Sequence, residues 1–165
     1  MRVVSPTPAH SRARFASQLH IFNLTVSKQL AYIDADAILT SSAADDIFET
    51  CVAEFCAVRH PFEPTQKLEQ QHPGPLINGG VMVVRPSKRR FERLLDAVKA
   101  LSTTSAVEVL ESDQAFLSDS FWQETQYLDR RFNTCERRAS DVFEGDVVHP
   151  CGTGMKLDRL PLCEW

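Results

Sequence analysis

The feature that most constrains this chain is residues 30–40, LAYIDADAILT. An apolar approach runs into two aspartates one residue apart, then into a second apolar pair. In an extended strand successive side chains alternate faces, so Asp34 and Asp36 would point the same way and Ala35 the other. Two carboxylates side by side repel, and burial alone favours neither. A cation can hold them together. Hard divalent ions take oxygen ligands and can bridge carboxylates to phosphate oxygens. The end of a strand in an open α/β sheet is where such ligands tend to bind. The alternative is that the acids simply begin a solvated turn, and the tripeptide alone leaves both readings open.

With 165 residues, 43% hydrophobic and 24% charged, the chain is expected to form one domain over 1–165 with one core. The net charge of −4 argues against nucleic acid as the main partner, because a phosphate backbone calls for clustered Lys and Arg. The basic clusters, Lys88-Arg89-Arg90, Arg130-Arg131 and Arg137-Arg138, are short and interrupted by acids. Five cysteines at 51, 56, 135, 151 and 163 form no C-x-x-C pair. That pattern fits reduced thiols in a reducing compartment better than a disulfide framework or a zinc site. No apolar run approaches a membrane span, and the first residues lack the apolar centre of a secretory signal. A cytoplasmic location is the resulting expectation.

Along the chain, residues 1–14 read as an irregular arm. In FASQLHIFNLTV (15–26), Leu19, Phe22 and Val26 stand at helical spacing, predicting an amphipathic helix. SSAADDIFET (41–50) offers Ser42 and Asp45 as caps for a turn of helix, and EFCAVR (54–59) reads as a strand. PFEPTQKLEQQHPGP (61–75) is a loop by composition, and a loop this long is usually functional or mobile. LINGGVMVV (76–84) reads as an Asn-Gly-Gly turn followed by an apolar strand. Ser87 can cap a helix whose stripe is Phe91, Leu94, Leu95, Val98 and Leu101. SDQAFLSDSFW (112–122) reads as another helix, capped by Ser112 or Asp113, and 146–149 as a last short strand. Alternating strands and helices predict a layered α/β domain.

Several of these blocks, in this order, resemble glycosyltransferase family 8, the glycogenin and galactinol-synthase-like group. FASQLHIFNLT resembles the helix before that family's D-x-D strand, and LAYIDADAILTSSAADDIFE the strand itself. PLINGGVMVVRPS is similar to its Asn-Ser-Gly segment, ESDQAFLSDSFW to its Asp-Gln helix, RRFN to its Tyr-Asn, and VVHPCG to its His-x-x-Gly. The resemblance implies a GT-A-like mixed sheet flanked by helices, and a retaining, metal-dependent transfer of a hexose from a UDP-sugar to an acceptor. It implies that Asp34, Asp36 and His149 hold the metal, a set that suits Mn2+ better than Mg2+. Asp34 would also lie near the ribose. Asn78, Gly79 and Gly80 would line the donor sugar, Asp113 and Gln114 would face the reacting carbon, and Lys156, next to the Gly152 turn, would reach the diphosphate.

The chain also departs from that pattern. The family's first strand–helix unit and base pocket have no counterpart, since only about fourteen residues precede the resemblance and a crossover unit needs about thirty. A sheet without them would leave an edge for a partner to cover. Gln18 stands where the family commonly has a donor-contacting lysine, Gly79 replaces a serine, and Lys156 lies one residue late. Two alternatives follow. One is a non-catalytic member or fragment. The other is a haloacid-dehalogenase-type phosphotransferase, suggested by IDADAILT, with Asp34 as nucleophile and Asp36 as acid/base.

Overall fold

A computed structural model describes residues 18–61, 74–103, 113–136 and 145–150, and the side chains at 101–103, 135–136 and 149–150 are set aside. Strands β1 (Leu30–Ile33), β3 (Phe55–Arg59), β4 (Ile77–Val84) and β5 (Thr125–Leu128) form a four-stranded sheet in the order β1-β4-β3-β5. β4 runs antiparallel to both β1 and β3, while β3 and β5 are parallel. The sheet is therefore mixed, as expected. Strands β2 (Ile38–Leu39), β6 (Thr134–Glu136) and β7 (Val147–Pro150) form a second sheet in the order β2-β7-β6. The helices are α1 (Asp46–Thr50), α2 (Lys88–Thr103) and α3 (Asp113–Phe121).

Alternation along the strands sorts the core onto two faces. Phe55 and Ala57 of β3, with Met82 and Val84 of β4, join Leu19, Phe22, Phe91, Leu94, Phe116, Leu117 and Phe121 on one side. Cys56, Val58, Val81 and Val83 point to the other, against Ile47, Leu128, Phe132 and Val147. All eight residues of β4 are buried, as a strand covered on both faces requires. Phe121 stacks on Phe55 with centroids 4.2 Å apart and on Phe22 at 5.4 Å, fixing α3 over the sheet. Ser87 caps α2 as predicted, its side-chain oxygen accepting from the Arg90 amide, and Phe91 and Leu94 are buried beneath that helix.

The second sheet packs on the first through Val147, which joins Val58, Val81 and Val83 in the core, and charge links its entrance to α1. The Arg131 guanidinium donates to Asp146 at 2.8 Å and to Asp46 at 3.2 Å, and lies over the Phe132 ring. Thr40 pairs with the 145–146 backbone through both its amide and its hydroxyl.

Several sequence expectations are corrected. The helix predicted over 15–26 is, within the described residues, α-helical at Gln18 and Leu19 and then tightens into a short 3-10 helix, His20–Asn23. Its three-residue period still buries Leu19 and Phe22, but the chain has left the helix before Val26, which is 93% exposed. Asn78, Gly79 and Gly80 do not form a turn before the strand and lie inside β4. A register shift accommodates them: Ala57 faces Met82 while Val58 faces Asn78, so residues 79–81 bulge away from β3. Ser41, rather than Ser42, caps the helical turn, accepting from the Ala43 amide. β5 and the 3-10 helix Arg130–Asn133 were not predicted as elements. Of the loop expected over 61–75, residues 62–73 lie outside the described residues; beyond it, the Tyr127 hydroxyl donates to the Pro75 carbonyl. Residues 1–14 also lie outside.

Reduced thiols are not what residues 51 and 56 present. Cys51 and Cys56 are joined in a disulfide that ties the end of α1 to the start of β3, with Cα atoms 5.9 Å apart. Such bridges persist in oxidising compartments, so the cysteines no longer support a reducing one. A loop closed over so few residues limits the unfolded chain modestly. Replacing both cysteines by serine is expected to lower unfolding free energy by about 2 kcal/mol, checked by denaturant titration with and without reductant.

Candidate functional site

β1 ends one residue before the first aspartate. The Asp34 amide still reaches across to the bulge, donating to the Gly80 carbonyl at 2.8 Å. The chain then turns, with the Ala37 amide closing on the Asp34 carbonyl at 3.0 Å. The two acids thus flank a turn rather than alternate along a strand, which corrects the geometry assumed from the sequence. Asp34 is half-buried and Asp36 exposed. The turn sits at the end of β1 in the central sheet.

Four segments converge on Asp34 and the bulge. The Tyr32 hydroxyl donates to Asp34 Oδ1 at 2.7 Å. Gln18, 9% exposed, places its amide nitrogen 3.5 Å from the Gly79 carbonyl and also hydrogen-bonds the Tyr32 hydroxyl. The N-terminus of α3 arrives from the other side. A Cβ on Gly79 would lie 3.1 Å from Gln114 Cγ, so the bare glycine is what lets Gln114 pack so closely, with Gln18 Nε2 at ordinary contact distance, 3.9 Å. Ser118 anchors the helix in that position, accepting from the Ile77 amide and donating to the Gln114 carbonyl. Asp113 accepts from the Gln114 amide at 2.8 Å, and its carboxylate is near enough to act on Tyr32.

The electrostatics follow from this crowding. Burial pushes the Tyr32 phenol well above its ordinary value of 10.0. The hydrogen bond to Asp34 and the charges of Asp34 and Asp113 push it the same way, and the Gln18 bond partly offsets them. Negative charge is concentrated here, which favours cations and hydrogen-bond donors. Two amide oxygens, Gln18 Oε1 and Gln114 Oε1, are buried without a partner.

Of the sequence-predicted residues, Asp34, Gly79, Gly80, Asp113 and Gln114 are brought together around this bulge. Asn78 is 3% exposed, and its side-chain oxygen accepts from the Gly80 amide at 3.1 Å, shaping the bulge from within. At position 149 the backbone belongs to β7, where Val148 faces Ile38; the next positions on that ladder are His149 and Ala37. The His149 side chain, Gly152 and Lys156 lie outside the described residues. Among the described residues no three His, Cys, Asp or Glu side chains converge to hold a metal. The oxygen donors of Asp34 and Asp36 are nonetheless of the type a hard divalent ion takes. Tyr32 was not singled out from the sequence. The signal was present, because side chains two apart on a strand share a face.

No known family profile matches the sequence. Inositol phosphorylceramide glucuronosyltransferase 1 of Arabidopsis thaliana is 32% identical over 106 residues, 64% of this chain and 16% of that protein. The galactosyltransferase LgtC, solved with donor and acceptor sugar analogues, superposes with a TM-score of 0.67 at 17% identity, over 92% of this chain and 66% of LgtC. A glycosyltransferase involved in glycosylation of the major capsid of PBCV-1 gives 0.59 at 16% identity, over 96% of this chain and 77% of its own. The fold is that of the GT-A glycosyltransferases. The chain is related to glycosyltransferases and spans 16% of the curated relative and 66% of LgtC. No helix among the described residues is long and apolar enough to cross a membrane. A GT-A fold leaves the phosphotransferase alternative without support.

The chain has two tyrosines, and burial raises both, Tyr127 as well as Tyr32. In metal-free protein, alkaline titration followed by phenolate absorbance is expected to show no ordinary step near pH 10, and Tyr32→Phe should remove the later transition. The folded state holds these protons more tightly than the unfolded state. Their stabilisation is therefore complete below about pH 10 and is lost as pH rises through the folded values. Ordinary titration of both phenols would contradict the site's electrostatics.

Proposed function

We propose that this chain acts as a metal-dependent, retaining glycosyltransferase of family 8, moving a hexose from a UDP-sugar to an acceptor. The observation that supports this reading is the meeting of Asp34, Gly79, Asp113 and Gln114 around one bulge at the end of a GT-A sheet. Asp34 and Asp36, with His149, would hold Mn2+, which would supply Lewis-acid stabilisation for the departing diphosphate. Gly79 and Gly80, buried beneath Gln114 and Gln18, would lie behind the donor sugar, with Asn78 holding their shape. Gly152 and Lys156 would serve the diphosphate. Asp113 and Gln114 sit where a carboxylate and an amide can stabilise an oxocarbenium-like carbon, and fixed dipoles of this kind are worth about 3 kcal/mol each.

A second reading, donor binding without turnover, is favoured by Gln18. It is neutral where the resembling family has a lysine, and its amide nitrogen is occupied by Gly79 and Tyr32. Calorimetry of UDP with and without Mn2+, beside a transfer assay on a panel of UDP-hexoses, separates the two. Mn2+-dependent UDP binding that Asp34→Ala abolishes is expected under both readings, and sugar transfer only under the first. For an active protein, Gln114→Ala should lower turnover about 100-fold. UDP affinity unchanged in Asp34→Ala would reject the metal role.

A further inference from the structure

Resting on that reading of Asp34, we infer that Gln18 and Tyr32 are positioning residues, forming a hydrogen-bonded chain that fixes the rotation of the Asp34 carboxylate for an incoming divalent ion. Tyr32 has one hydroxyl hydrogen, and it goes to Asp34 Oδ1 at 2.7 Å. The same oxygen has lone pairs to accept the Gln18 amide, whose nitrogen lies 3.5 Å from the adjoining Gly79 carbonyl. Gln18 is buried and reaches the Gly79 carbonyl with its amide nitrogen as well. The Asp34 main chain is held by the neighbouring Gly80 carbonyl. Both the backbone and the carboxylate of Asp34 are therefore referred to the same bulge.

This arrangement matters because Asp34 lies in a turn just past the end of β1. Without the hydroxyl the carboxylate loses one of the contacts that fix its rotation, at a cost to affinity. Groups that orient metal ligands from behind typically change affinity by about 10- to 100-fold when removed. The chain also gives Gln18 a role that a lysine would not fill. A neutral amide can donate to Tyr32 without placing a cation next to the ion site, whereas an ammonium would compete there.

The test uses the full chain and Mn2+ as probe, with binding read by calorimetry and by the Mn2+ magnetic-resonance signal. Tyr32→Phe keeps the ring and loses only the hydroxyl; it is expected to weaken Mn2+ binding at least 10-fold. Gln18→Met, close in volume and without a donor, should weaken it in the same direction by a smaller factor. Because Gln18 acts through Tyr32, the double variant should bind no worse than Tyr32→Phe alone. Loss through mere loosening of the fold would instead multiply the two effects, and such additivity overturns the inference. So does wild-type Mn2+ affinity in Tyr32→Phe when Asp34→Ala has lost binding. If Asp34→Ala binds Mn2+ like the wild type, the reading of Asp34 itself has failed, and the inference falls with it. Should Tyr32→Phe not fold, unchanged Mn2+ affinity in folded Gln18→Met overturns the chain equally.

Discussion

The hydrogen bond from the Asp34 amide to the Gly80 carbonyl is the constraint on which the site depends. β4 is buried along its whole length, and a buried strand must find partners for every backbone polar group. At residues 79–81 the ladder to β3 is interrupted. On the β1 side the Asp34 amide continues the ladder beyond Ile33 and Val81 by taking the Gly80 carbonyl, while Gln18 approaches the Gly79 carbonyl and the Asn78 side chain takes the Gly80 amide. The groups that repair the bulge are therefore the ones that gather chemistry around it. Removing the irregularity would restore a regular ladder and disperse the site.

Negative charge is the second organising term. Asp34 and Asp113 come from elements far apart in sequence, and both act on one phenol. Elsewhere Arg131 draws Asp46 and Asp146 together, linking α1 to the start of β7. At the bulge a phenolic hydroxyl is among the groups that meet the Asp34 carboxylate.

The sequence made much of this legible, and the failures have physical causes. α2 was readable because its apolar stripe, its Ser87 cap and the preceding Pro86 agree. β3 and most of β4 were readable from short apolar runs. The Asn-Gly-Gly segment was misread because local propensity favours a turn, while pairing on both sides imposes a strand with a bulge. The disulfide was missed because a spacing of five residues carries no motif, and only the fold brings the two sulfurs together. The D-x-D stretch showed its acids plainly, but the turn that separates them depends on the second sheet pulling Ile38 onto Val148. Tyr32 was hidden by its position: an aromatic in a strand reads as core, although its hydroxyl reaches the Asp34 carboxylate.

The fold by itself leaves the sugar open, since one architecture serves many transfers. LgtC is a galactosyltransferase and the plant relative a glucuronosyltransferase. Under the proposed function, the two glutamines beside Gly79 would be the side chains that a donor sugar meets at the bulge. Each presents a buried amide oxygen with no partner, and an unsatisfied buried acceptor costs about 1–3 kcal/mol. Both lie near Gly79, with Gln114 Cγ packed where a side chain would stand. A ligand rich in hydroxyl hydrogens, such as a sugar ring, would offset that cost, whereas a ligand carrying only acceptors would not. Under the proposed function, selectivity here would turn on which sugar hydroxyls reach the two oxygens, a demand set by hydrogen-bond geometry and not by net charge.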